Sequence, residues 1–193
     1  SSTSEYLSNK VATPSGTDIQ STIFTCLDFL PSPFDSELPF SPMRDNLSKK
    51  PHRQSHKAAI LTRGVVRLFK DLGCGCLTEF PLPNSRRVDI ITLSTEGIFS
   101  IIEVKSSVQD FKADSKWQFY LPYCDRFYFA VSEDFPLEVL PGNHGIIIAD
   151  KFSASIEKET SERSIQGTRR RQQLKRFALI ASERLQNITD PRP

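Results

Sequence analysis

Apolar and polar positions set the first divisions of the chain. From Ser55 to Leu72 the apolar positions recur at helical spacing. Ala59, Ile60, Val66, Leu68, Phe69 and Leu72 form one stripe, with Arg63, Arg67 and Lys70 mostly off it. Gly73 reads as the stop of this helix, since glycine takes the left-handed conformation that closes helices. The pattern then shortens to strand-like runs at Cys76–Phe80, Arg87–Leu93 and Ile98–Lys105. Thr95, Glu96 and Gly97 give the last two a tight connection, which predicts an antiparallel hairpin. Helical spacing returns from Val108 to Tyr123, with Phe111, Trp117, Tyr120 and Leu121 turned inward. Arg126–Val131 and Gly145–Ala149 are continuous apolar runs, suited to strands buried on both faces. Ala154–Lys158 alternates and predicts an edge strand. The order implies an α/β fold: one mixed β-sheet flanked by helices, with a helix-strand-strand-strand-helix-strand core.

The flanks differ from this core. Residues 1–51 hold six of the 13 prolines, many Ser and Thr, and no lasting periodicity. Such a segment buries too little apolar surface to offset chain entropy, so disorder is expected. The one methionine, Met43, is a candidate translation start, with the residues before it an upstream extension. From Ser161 onward there are eight basic residues against three acidic ones. Arg169–Leu185 fits an amphipathic helix with Leu174, Phe177, Ala178, Ala181 and Leu185 on one face. Either that face packs on the domain, or the basic side meets phosphates. The expected divisions are therefore 1–51 (disordered), 52–160 (the α/β domain) and 161–193 (basic helix and tail).

Composition narrows the classes. The 193 residues suffice for one domain with a core plus tails. A formal net charge of +2 is no polycation, so any case for nucleic acid rests on local charge. Cys26, Cys74, Cys76 and Cys124 make no CxxC pair and no zinc spacing with His52 or His56. Reduced thiols in a cytoplasmic protein are the plain reading. No run approaches the ~20 apolar residues of a membrane span.

Candidate chemistry lies in the run from Ile98 to Lys105. Side chains alternate across a strand, so Phe99, Ile101, Glu103 and Lys105 share one face. An unpaired buried charge is costly, so Glu103 and Lys105 must pair, bind something, or emerge at the sheet rim. On the preceding strand Asp89 interrupts the apolar run Val88–Ile91. Across the hairpin it falls opposite the Glu103–Lys105 end, to within a couple of residues. Two converging carboxylates, with the Val104 carbonyl as a third oxygen, suit a hard cation, Mg²⁺ or Mn²⁺. Such an ion polarises a phosphodiester and activates water. Lys105 is placed to orient that water and offset transition-state charge. The competing reading is a rim ion pair between Glu103 and Lys105, worth about 0–1 kcal/mol. The triplet alone is common.

The spacing of Asp89 and Glu103-x-Lys105 between two helices resembles the PD-(D/E)xK nuclease superfamily. More specifically the chain resembles the bacterial MmcB family of DNA repair proteins. The resembling stretches are Arg86–Ile91, Glu103–Ser107, Asp110–Asp114 with Lys116 and Trp117, Tyr123–Val131, Asp134–Pro141 and Gly145–Asp150. The resemblance implies a restriction-endonuclease-like fold and a role in DNA damage repair, with DNA and other repair proteins as partners. It implies that Asp89 and Glu103 hold the metal and that Lys105 serves the water. Lys116 or Gln118, with Lys116 favoured, would lie near the scissile phosphate.

Departures from the pattern are specific. Val88 stands where the motif has Pro. The first helix has no Glu, for which Glu79 is a possible substitute, and that gap suggests one metal rather than two. Asp110 and Asp114, candidates within one to two turns of the site strand, are expected rather to cap the second helix, and Trp117 to lie in the core rather than stack on a base. Arg86 and Arg87 either flank a DNA backbone or pair with Glu79 or Glu96. A catalytically weak or inactive DNA-binding adaptor of the same fold remains the alternative, and oligomeric state is open.

Overall fold

The computed structural model describes residues 55–191. The expected disorder of 1–51 and the Met43 start lie outside the described residues. Helix α1 (His56–Asp71) starts where the Ser55 side chain accepts the Ala58 N–H. It ends near Gly73, whose φ of 75° fits the expected stop. Strands β1 (Gly75–Pro81), β2 (Arg87–Leu93) and β3 (Phe99–Val104) follow. A short helix α2 (Val108–Ala113) and a 3₁₀ segment (Trp117–Tyr123) lead to β4 (Arg126–Val131). Strands β5 (Gly145–Ala149) and β6 (Ala154–Lys158) precede the long helix α3 (Gly167–Thr189).

The sheet is mixed, six-stranded and in sequence order. β1–β2, β2–β3 and β5–β6 are antiparallel, whereas β3–β4 and β4–β5 are parallel. The expected hairpin between β2 and β3 forms, with the Gly97 N–H on the Ser94 carbonyl at 3.0 Å. Two cores flank the sheet. Ala58, Leu61, Val65 and Phe69 of α1 cover Ile90, Ile102, Val104, Tyr128 and Ile147. On the opposite face Phe99, Ile101, Phe127 and Phe129 meet Tyr120, Phe177 and Ile180. Trp117 packs against Phe127 and Phe129 with centroids 5.8 and 5.4 Å away, as expected of a core residue.

α1 lies very close to the β5–β6 turn. A Cβ on Gly64 would sit 2.3 Å from the Asp150 carbonyl oxygen and 2.5 Å from that of Ser153. Backbone cannot yield as a flexible side chain does. Gly64→Ala is therefore expected to cost about 1–3 kcal/mol in urea unfolding, against the ~1 kcal/mol gained at an open helical site. A neutral or stabilising result would refute this close approach.

Two sequence expectations need correction. The single helix over 108–123 is two pieces. Its axis breaks at Asp114–Lys116, where the Asp114 carboxylate accepts the Lys116 N–H at 2.8 Å instead of leaving the turn helical. Pro122, which lacks an N–H, suits the short 3₁₀ segment better than a continuing α-helix. The apolar face expected for the last helix packs only in part, through Phe177. Gln173, Phe177 and Ile180 are buried, whereas Leu174 and Leu185 are about half or more exposed. Arginines on the inner side decide this orientation. Arg170 pairs with Asp125, Arg176 donates to the Pro81 carbonyl, and Arg184 donates to Thr78 and Glu79 carbonyls.

Candidate functional site

The β2–β3 ladder runs from Leu93↔Phe99 to Ile90↔Ile102 and stops there. Beyond it, a side chain takes over from the backbone. Asp89 Oδ2 accepts the Val104 N–H at 2.9 Å. The Lys105 N–H points the other way, to the Ala130 carbonyl on β4 at 2.9 Å. An extended residue directs its N–H and C=O to the same neighbour. The Val104 carbonyl therefore faces the Asp89 side.

Asp89, Glu103 and Lys105 are thus brought together, as the alternation predicted. Glu103 and Lys105 are 5% and 3% exposed. Lys105 Nζ lies 3.4 Å from Glu103 Oε1 and 2.6 Å from Asp114 Oδ2. This buried triad is not the solvated rim pair considered above. Glu103 Oε2 is buried and has no hydrogen-bond partner. A buried acceptor left unpaired is expensive, and such atoms commonly mark a place where something else binds.

Electrostatics follow from this burial. Desolvation raises the Asp89 carboxyl to about 6, against the lowering effects of the Val104 N–H and Lys105. Glu103 is pushed well above the usual carboxylate range by burial first and by Asp89 second. Burial alone would lower the Lys105 ammonium, but Glu103 and Asp114 outweigh it and hold the group above its ordinary value. Burial opposes ionisation of Asp114, yet the Lys105 and Lys116 donors bring it below its ordinary value.

Asp114 is the candidate whose part in the site sequence reading missed. It was expected at a helix N-terminus, but it stands at the C-terminal end of α2 and grips Lys105. Ser107 caps that helix instead, and Asp110 accepts from the Ser106 N–H and hydroxyl at 3.1 Å each. Tyr120 was assigned to the core. It is buried, but its phenol also lies in the field of Glu103, Asp114 and Asp89; burial, then these charges, raise its pKa. Only the nine-residue separation of Lys105 and Asp114 hinted at the first. Nothing in the sequence signalled the second.

The remaining candidates spread out. Arg87 Nε pairs with Glu79 Oε2 at 2.5 Å, one of the two readings held open. Glu79, at φ 50°, is turned to this pair on the neighbouring strand. Arg86 lies over the Phe119 ring, 4.1 Å from its centroid. Lys116 and Gln118 are exposed on either side of Trp117. Cys74, Cys76 and Cys124 are free thiols. Among the described residues, no three His, Cys, Asp or Glu side chains form a group that could hold a metal. No described helix is long and apolar enough to cross a membrane.

Residues 45–192 match a family described as "DNA repair protein MmcB-like". The chain belongs to the MmcB-like family. That membership points to a role in DNA repair. The match spans the sheet and α3, so the basic C-terminal helix is part of the MmcB-like unit. A solved structure, the SPO1766 protein of unknown function from Silicibacter pomeroyi, is similar with a TM-score of 0.67 and 40% identity. The similarity covers 70% of this MmcB-like chain and 92% of that one. No curated protein matches.

Proposed function

We propose that this MmcB-like protein is a metal-dependent DNA phosphodiesterase of the restriction-endonuclease-like, PD-(D/E)xK type, working in the cytoplasm on damaged DNA. The observation that carries the reading is Glu103. Its carboxylate is buried, one oxygen is unpartnered, and Asp89 and Lys105 share its face. The donor set fits one hard cation, Mg²⁺ or Mn²⁺. Asp89, Glu103 and the Val104 carbonyl would hold it, and water would complete the shell, as Mg²⁺ prefers. When bound, the ion supplies Lewis-acid polarisation of a phosphate oxygen and a more acidic water.

The chain's own groups do the rest. Asp114 fixes the Lys105 ammonium at 2.6 Å, so its donors stay aimed beside Glu103. There Lys105 positions the attacking water and offsets charge on the phosphorane-like transition state. Arg86, Arg87, Lys116 and Gln118 are the candidate DNA contacts, with the Arg87–Glu79 pair opening to reach phosphate. The adaptor reading draws on two features: among the described residues no third His, Cys, Asp or Glu side chain completes a metal-holding group, and Lys105 is already held by two carboxyl groups. It predicts salt-sensitive DNA binding without product.

The test is a cleavage screen over duplex, nicked, branched and single-stranded DNA with Mg²⁺ or Mn²⁺, wild type beside Glu103→Ala. Product from wild type alone is expected; equal product from both sinks the assignment. Metal binding also has a pH signature. Asp89 and Glu103 keep protons in the fold that the unfolded chain has lost. Their contribution to apo stability is full below the ordinary carboxylate range and falls as pH rises through about 6 and beyond. A cation needs both groups ionised and displaces those protons. Calorimetry should therefore show tighter Mn²⁺ binding at pH 8 than at pH 5.5, with proton release. Affinity independent of pH would argue against these two ligands.

A further inference from the structure

α3 presents an apolar seam that the domain does not use. Leu174, Ala178, Ala181, Leu185 and Ile188 are spaced four, three, four and three residues apart. That is the a/d repeat by which two helices pack knobs into holes. The seam lies beside, not on, the buried stripe of Gln173, Phe177 and Ile180. Leu174, Leu185 and Ile188 are 48%, 63% and 80% exposed. Its length from Leu174 to Ile188 is about 21 Å at 1.5 Å per residue. Scattered single apolar residues need no explanation, but a continuous stripe marks an interaction surface.

We propose that this seam pairs with the same seam of a second copy, antiparallel about a two-fold axis through Ala181. Size complementarity favours this occupant. With Ala181 on the axis, the small Ala178 faces the partner's Leu185, and Leu174 faces the partner's Ile188. A two-fold contact requires such self-matching. Charge favours it as well. The next seam position toward the N-terminus is the exposed Arg171, with exposed Lys175 beside it. The C-terminal turn of α3 carries no basic residue, and Asp190 follows it, with Arg192 two residues further along the chain. Antiparallel pairing sets each Arg171 against the negative end of the other helix. Parallel pairing would instead oppose Arg171 to Arg171 and Lys175 to Lys175. The arrangement joins two domains through α3 and does not depend on the phosphodiesterase reading.

The experiment uses the full chain. Sedimentation velocity across a concentration series should show a monomer–dimer equilibrium, and Leu185→Glu should weaken it by about a hundredfold or more, because a charge is buried without a partner. Both seam ends are exposed in the single chain, so this variant should keep its melting temperature at low concentration. Under mild oxidation Ala181→Cys should form a covalent dimer, whereas Leu179→Cys, exposed but off the seam, should not. Wild type that stays monomeric at high concentration, with no Ala181→Cys cross-link, overturns the proposal. A monomer whose melting temperature drops with Leu185→Glu also overturns it, and shows that the chain covers its own seam. A dimer unaffected by Leu185→Glu overturns it too, because another surface then makes the contact.

Discussion

Lys105→Met is expected to lower the proposed metal-dependent DNA cleavage by about 10²–10⁴-fold while the protein still folds. Lys105 is the cation fixed beside Glu103, donating to Oε1 while Oε2 is unpartnered. Methionine keeps much of the stem's volume but cannot orient water or offset charge. Removing one member of a buried ion pair usually costs several kcal/mol, because the other is left charged. Here Glu103 already favours its protonated form through burial and Asp89. It can take a proton, and Asp114, partly exposed, can turn to water. The variant should therefore melt cooperatively with native circular dichroism. Cleavage within tenfold of wild type would remove Lys105 from the mechanism.

Asp125→Ala should produce the largest loss of stability, about 3–5 kcal/mol in urea unfolding. Asp125 is 2% exposed. Its carboxylate accepts the Phe99 N–H at 2.8 Å and the Ile165 N–H at 3.2 Å. Arg170 closes on both oxygens, at 2.9 and 2.6 Å. One side chain thus ties the start of β3, the segment before α3, and α3 itself. Alanine would strand two buried N–H groups and a guanidinium together. Arg170→Ala alone should cost less, since Arg170 is about a third exposed and the two backbone donors keep their acceptor. A double-mutant cycle should give a coupling of about 1 kcal/mol or more. A loss under 1 kcal/mol for Asp125→Ala would refute this account.

Strands were the most legible part of the fold. Continuous apolar runs and strict alternation fix β2, β4, β5 and β6 to their observed bounds, because burial on one or both faces leaves a direct compositional trace. Asp89 and Glu103 were legible for the related reason that a carboxylate amid apolar strand residues stands out. Helical segments were less so. Periodicity over 108–123 was real, but Asp114 is drawn off its turn by Lys105, a tertiary contact that local pattern does not contain. On α3 two faces compete. Apolar content alone selects the Leu174–Leu185 side, whereas Asp125 and the carbonyls of Thr78, Glu79 and Pro81 select the arginine side. Those acceptors lie 45 to 106 residues away in the chain.

The bond between Asp89 and the Val104 N–H joins the site to the sheet in a way open to spectroscopy. A ladder hydrogen bond is normally indifferent to pH, since a carbonyl does not titrate there. At this one rung the acceptor is a carboxylate whose burial raises its pKa to about 6. The amide of Val104 consequently carries the ionisation of the site in its chemical shift and its solvent-exchange rate. A single backbone resonance reads the charge beside Glu103, with no substrate and no substitution.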